Sequence, residues 1–209
     1  MATPPAETRE RLLDAAELAF AQEGIQQASL RTITAAAQAN LAAVNYHFGS
    51  KDGLIREVLQ RLVGPINAER LQRVSDAEAK YADKIVPLEE LLRHFLEPTL
   101  QMFASGRSHI PTLISRFHHE TSPAVAETMA AVLEPVVGRF LQALMRSVPS
   151  LTIERALLRG QFMVGALLET LSLNPEVLKL MQPAGVDSLP RLNMLDELVT
   201  FCAAGFRHE

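Results

Sequence analysis

The sequence predicts an all-α fold: a small N-terminal three-helix unit of helix-turn-helix type, followed by a larger helical part. Three observations predict it. Apolar residues recur at about 3.6-residue spacing along nearly the whole chain, and no segment alternates apolar and polar residues as a half-buried strand would. Aromatic residues make up only 5% of the chain and Trp is absent, which leans away from a β-sandwich. Gly, Pro, Ser, Thr and Asn fall where helices of ordinary length begin and end.

Residues 8–23 carry Leu13, Ala16 and Phe20 at i, i+3 and i+7, with Leu12 and Ala19 beside them. Gly24 stops this helix, since glycine accepts the left-handed conformation at a helix end. Ser29 caps a short helix over 30–37, whose inner face is Leu30, Ile33 and Ala37. Gln38, Ala39 and Asn40 form a break. Asn40 caps a third helix over 41–48, and Gly49 ends it. Ser50 caps a longer helix that starts at Lys51 and runs past Arg70, with a kink expected at Gly64-Pro65.

Pro87 precedes a helix over 88–104, in which Pro98 predicts a kink or break. Gly106 marks a turn before a helix over 110–120. Ser122 caps 123–148, which opens with proline and is weakened by Pro135 and Gly138. Thr152 caps 153–173. A short helical turn after Pro175 and a loop with Pro183, Gly185 and Pro190 lead to a last helix over 191–206. The expected domains are 1–51 and 52–209.

With 209 residues the chain is long enough for a small domain fused to a medium one. Its apolar share of 48% and mixed charges are those of a folded protein, not a disordered one. The net charge of −4 excludes any nucleic-acid argument from total charge, so such an argument must rest on local pattern. The single cysteine, Cys202, rules out an intrachain disulfide and fits a reducing cytoplasm, the expected location. Residues 1–7 lack the pattern of a secretory signal, and no stretch approaches the roughly 20 apolar residues that span a bilayer. No membrane partner is expected.

Two short helices joined by a tight turn and braced by an amphipathic first helix describe a helix-turn-helix. On the wheel of the second short helix, Leu41, Val44 and Phe48 share one side and are expected to pack inward. Ala42, Ala43 and Tyr46 lie opposite, with Asn45 and His47 on the flanks. Alanines let a helix approach base edges closely, and their methyls fit thymine methyls. No Asp or Glu occurs from Ile25 to Lys51, whereas Arg31 and Lys51 do. A phosphate-facing surface needs such a stretch, since carboxylates repel phosphate. Packing alone accounts equally well for Tyr46-His47-Phe48, so the spacing by itself leaves the choice open.

The segment 29–54 closely resembles the DNA-binding signature of the TetR family of bacterial regulators. Tyr46-His47-Phe48-x-x-Lys51-x-x-Leu54 is its most telling part, and Leu12-Leu13-Asp14-Ala15-Ala16 with Phe20-Ala21-x-x-Gly24 resembles that family's first helix. The resemblance covers roughly residues 8–60. It implies that Tyr46, His47 and Lys51 touch phosphates or the groove. It implies that Ala42, Ala43 and Asn45 face bases, with Arg31 and Thr32 in support from the preceding helix. The partner it implies is double-stranded, palindromic operator DNA, bound by a homodimer.

The last helix carries two adjoining apolar stripes. One is Leu192, Leu195, Val199, Cys202 and Phe206; the other is Met194, Leu198, Phe201 and Gly205. A monomer's surface helix needs only one. The first stripe, together with Gly160 and Gly165 of the preceding apolar helix, is expected at the dimer interface; burial of both helices within one domain is the alternative. The resemblance implies a four-helix bundle, two helices from each subunit.

The C-terminal part is expected to hold a ligand pocket. Soft apolar side chains (Met102, Phe103, Phe117, Phe140, Phe162, Met163) lie among the polar groups Arg116, His119 and Gln161. An apolar cleft with a basic mouth suits an amphipathic anion. A looser resemblance of 40–51 and 162–172 to a fatty-acid-responsive subgroup of TetR regulators points to a long-chain fatty acid or acyl-CoA. A hydrophobic drug or aromatic metabolite is the alternative, and a helical ligand carrier without DNA binding is a remoter one. No Gly-rich phosphate loop, G-x-S-x-G elbow or Cys/His ligand set is present, so no enzyme, cofactor or metal is expected. The function expected is a ligand-released transcriptional repressor.

Overall fold

The computed structural model describes residues 5–82, 84–104, 109–172, 180 and 193–208. Among them are nine helices and no strand: α1 (Pro5–Glu23), α2 (Leu30–Ala36), α3 (Leu41–Phe48), α4 (Lys51–Tyr81), α5 (Leu88–Ala104), α6 (Ile110–His119), α7 (Pro123–Ser147), α8 (Ile153–Ser172) and α9 (Met194–Arg207). The expected turns at Gly106 and after Pro175, and the loop holding Pro183, Gly185 and Pro190, lie outside the described residues.

The chain divides into two compact units, 1–65 with 107–134 and 66–106 with 135–209. The first unit is larger than the sequence-based division at 51. Leu54, Ile55, Val58 and Leu59 of α4 are buried, and Arg61 binds α1 through Asp14 (2.9 Å) and Glu17 (2.7 Å). Glu17 is itself buried, and its other oxygen lies 3.3 Å from His109 Nε2. Such a carboxylate is tolerable because the Arg61 guanidinium meets it. The core of this unit is Leu12, Leu13, Ala16 and Phe20 of α1, Ile33 of α2, Val44 of α3 and Ile110, Leu113 and Phe117 of α6. Gly24 (φ 101°) turns the chain out of α1. A Cβ there would meet only the tips of Gln27 and Arg116, so it is the backbone conformation that calls for glycine.

In the second unit α9 packs on α5 and α8. Leu91, Leu92, Leu96, Phe140, Leu144, Met163, Val199 and Phe206 are among its buried residues. Pro65, Pro98 and Pro135 all sit inside helices that continue past them, so the break considered at Pro98 does not occur. At Pro98 the second unit supplies a side-chain donor to the same stretch of helix: Arg70 Nε donates to the Phe95 carbonyl at 2.8 Å. The segment Val125–Ser147 has a mean hydropathy of 1.2 and is apolar and long enough to cross a membrane, contrary to expectation. In its second half one face is buried in this unit (Val136, Phe140, Ala143, Leu144), while Arg139 and Arg146 both pair with Glu78.

Candidate nucleic-acid interface

Local hydrogen bonds set both short helices. Ser29 Oγ accepts from Thr32 N at 3.0 Å and starts α2. Its end is a Schellman turn: Ala39 N donates to Thr34 O (2.9 Å) and Gln38 N to Ala35 O (3.1 Å). That turn places Gln38 at φ 50°, a left-handed position usually given to glycine. Asn40 Oδ1 then accepts from Ala43 N at 2.9 Å and starts α3. Gly49, at φ 75°, ends it. Ser50 Oγ accepts from Gly53 N at 3.1 Å and starts α4.

Val44 and Phe48 are buried, as expected. Arg9 of α1 lies over the Phe48 ring at 5.7 Å, a cation–π contact that the sequence pattern did not announce. Leu41 corrects the expectation: it is 52% exposed. It is the first residue of α3, and side chains on a helix lean towards the N-terminus. At that position the side chain leans off the helix end instead of onto α1 and α2.

Ala42, Asn45 and Tyr46 are exposed, Tyr46 to 79%, while Ala43 and His47 are half-buried. The outward face is therefore rotated slightly towards Asn45 from the wheel estimate. The Tyr46 and His47 rings meet edge to face at 4.9 Å. Arg31 and Thr32 are exposed at the start of α2, with the Thr32 hydroxyl 2.8 Å from that of Ser29. Lys51 donates to the Gln26 carbonyl at 2.6 Å, and its burial lowers the ammonium pKa. One of its three donors is thus used to brace the α1–α2 loop.

The expected ligand residues fall in both units. Arg116 is committed elsewhere: its guanidinium donates to the carbonyls of Ala21 (3.0 Å) and Gln22 (3.3 Å), satisfying the C-terminal end of α1. Phe117 is core beside it, and His119 is exposed, with Nδ1 2.8 Å from Ser115 O. In the second unit Met102 and Phe103 are half-buried, Gln161 is exposed, and Phe140 is buried against Phe95 at 4.4 Å. Phe162 (62% exposed) and buried Met163 line one groove of about 380 Å³ with Phe201, Gly205 and Phe206.

The sequence reading overlooked Arg70. It is buried, and its three acceptors are neutral: Phe95 O (2.8 Å), Asn67 Oδ1 (3.1 Å) and Thr99 Oγ1 (2.7 Å). Its guanidinium lies 4.0 Å from the Phe95 ring centre, and burial pushes its pKa down to about 10. Its sequence signal is weak, because arginine on a long helix is ordinarily solvated.

The expected dimer stripe is also corrected. Val199, Cys202 and Phe206 are buried inside the protomer, and Leu195 is half-buried; Leu192 lies outside the described residues. Burial of Val199, Cys202 and Phe206 sets this rotation of α9, and exposed ion pairs edge it. Asp196 pairs with Arg93, and Arg207 binds Glu89 through both oxygens (2.5 and 2.8 Å), so the side of α9 near those charges faces α5. The second stripe is left outside at Met194, Phe201 (67% exposed) and Gly205, while its fourth member, Leu198, is buried. On α8, Leu157, Leu158 and Phe162 are exposed, Gly165 is exposed and Gly160 half-buried, with open space beyond both glycines.

Over residues 12–58 the chain matches the profile of bacterial regulatory proteins of the tetR family, and over 93–205 that of the tetracyclin repressor-like C-terminal domain. It is 45% identical over 62 residues to the HTH-type nicotine-responsive transcriptional repressor HdnoR of Paenarthrobacter nicotinovorans, covering 28% of this chain and 32% of that one. It is 34% identical over 95 residues to the HTH-type transcriptional regulator AcrR of Shigella flexneri, covering 45% and 42% respectively. The matches thus span less than half the length of either relative. A crystal structure of a transcriptional regulator from Rhodococcus sp. Rha1 has the same fold (TM-score 0.62, 21% identity, 96% of this chain and 98% of that one).

Proposed function

We propose, for a chain that belongs to the TetR family of bacterial regulatory proteins, the function of a ligand-responsive transcriptional repressor. It binds a palindromic operator as a homodimer and is released by a small hydrophobic effector. One observation carries this reading. The outer face of α3 offers Ala42, Asn45 and Tyr46 to solvent in a stretch, Ile25 to Lys51, that holds no carboxylate.

In the complex Ala42, with Ala43 at its flank, lets α3 approach base edges, and Asn45 donates to and accepts from an adenine edge. Tyr46, His47 and the remaining donors of Lys51 hold phosphates, as do Arg31 and Thr32 at the start of α2. Two copies place their α3 helices in successive major grooves, roughly 34–36 Å apart. The exposed apolar column of α8 and α9, with Phe162 and Phe201 at its centre, supports the pairing of two copies. Effector and operator oppose each other, each weakening the other's binding by the same factor.

For the effector, the buried Arg70, whose partners among the described residues are neutral, supports an amphipathic anion such as a long-chain fatty acid or acyl-CoA. A carboxylate beside Arg70 offsets the cost of burying its charge. Likeness to the nicotine-responsive HdnoR favours a second reading, a small aromatic compound.

Selection of duplexes from a random library by the full chain tests the function. It is expected to yield a palindrome bound by two chains, as measured by light scattering of the complex. Selection of no sequence contradicts it. Palmitate and palmitoyl-CoA are expected to release that duplex, and release by nicotine-like bases alone favours the second reading.

A further inference from the structure

The recognition surface contains a group that the sequence pattern assigned to the core. Leu41 is 52% exposed, although leucine is a residue that folding normally buries. It is anchored on a capped helix, since Asn40 Oδ1 holds Ala43 N at 2.9 Å. The buried residues of α3 are Val44 and Phe48.

Leu41 and Asn45 stand one turn apart and are both exposed, as are Ala42 and Tyr46. Side chains at i and i+4 lie over one another on a helix. The outer face of α3 is therefore two columns, an isobutyl group with a carboxamide, and a methyl with a phenol. In a major groove the matching chemistry is specific. A carboxamide pairs with the N6/N7 edge of adenine, and the C5-methyl of thymine is the apolar feature of that groove. The residues at the N-terminal end of a recognition helix are those that reach base edges.

Resting on the operator-binding reading above, we infer that Leu41 is a specificity-determining residue that reads a thymine C5-methyl, next to an adenine read by Asn45. Residues four apart on a helix are separated by about 6 Å, and base pairs by about 3.4 Å along the duplex. The two readings therefore fall within about two base pairs of each other. Loss of one buried methyl contact is worth about fourfold in affinity per half-site.

The experiment uses the selected duplex, the full-length chain and its L41A and N45A variants. Each thymine is replaced in turn by uracil, which removes the methyl and keeps the pairing. For the unaltered chain, uracil at one thymine per half-site is expected to weaken binding about fourfold. L41A, which alters both half-sites of the dimer at once, is expected to weaken binding to the thymine duplex about 16-fold and to be indifferent to that uracil. The sensitive thymine is expected within two base pairs of the position whose base preference relaxes in N45A. If duplexes are selected but no thymine is uracil-sensitive, or L41A keeps the wild-type sensitivity, Leu41 has no such role. If no duplex is selected at all, the operator-binding reading itself fails, and this inference with it. Leu41 is exposed, so matching thermal melts of L41A and the unaltered chain are expected and confirm that the comparison is between folded proteins.

Discussion

Helices α3 and α9 both carry more apolar surface than their own unit covers, and the surplus differs in kind. On α3 it is small and interleaved with polar groups: one leucine, two alanines, an asparagine and a tyrosine. On α9 it is bulky, Met194 and Phe201 beside the open Gly205, and α8 adds Phe162. A surface that must slide into a groove lined with hydrogen-bonding edges suits the first pattern. A surface that must exclude water against a like surface suits the second. The amount of exposed apolar area does not identify the partner; its grain does.

The comparison breaks most completely if the α9 surface serves no pairing. Phe201→Glu places a charge in the exposed column without touching the protomer's core. Light scattering is expected to report a monomer where the unaltered chain is a dimer, and a dimer for both leaves that surface unexplained. On the other face of the same helix, Phe206→Ala is expected to cost about 3–5 kcal/mol in denaturant unfolding, because Phe206 is buried within the protomer. A loss below about 1 kcal/mol places the wrong stripe inside. On α3, Val44→Ala is expected to cost about 2 kcal/mol, and Leu41→Ala less than about 0.5 kcal/mol. Equal losses return Leu41 to the core.

Cys202 sharpens the α9 assignment through pH. Burial raises its thiol from 9.0 to about 11. A raised acid stabilises the fold fully below its unfolded value and loses that contribution as pH climbs towards its folded value. Unfolding free energy is thus expected to decline between about pH 9 and 11 more steeply for the unaltered chain than for Cys202→Ala. Matching slopes contradict the burial of this stripe. At the turn before α3, Gln38→Gly relieves a left-handed non-glycine residue and is expected to stabilise by up to about 1 kcal/mol, read as a higher melting temperature.

How much of this was legible in the sequence follows the same line. Helix ends are written locally: Ser29, Asn40 and Ser50 act as caps within three residues of their partners, and all three were readable. The N-cap of α9 is equally local (Asn193 Oδ1 accepts from Leu195 N at 3.2 Å), and it starts the helix at Met194, later than the expected residue 191. The stripes themselves were also legible, since periodicity is a property of one helix. Which stripe turns inward was not. On α9 the choice depends on packing against α5 and α8, and the ion pairs that edge this contact join Arg93 and Glu89 to Asp196 and Arg207, 103 and 118 residues away. On α3 it is made by the lean of a first-turn side chain, which a wheel projected down the helix axis does not contain. Arg116 and Arg70 were hidden for the first reason, because their acceptors are carbonyls and hydroxyls that no charge pattern reveals.

The measurement closest to the central claim is operator affinity, by fluorescence anisotropy, for the unaltered chain and Ala42→Glu. Ala42 is exposed, so the fold and the dimer are expected to be unchanged, while a carboxylate brought against base edges and phosphates is expected to weaken binding at least about 100-fold. Undiminished binding by Ala42→Glu would mean that the outer face of α3 never enters the groove.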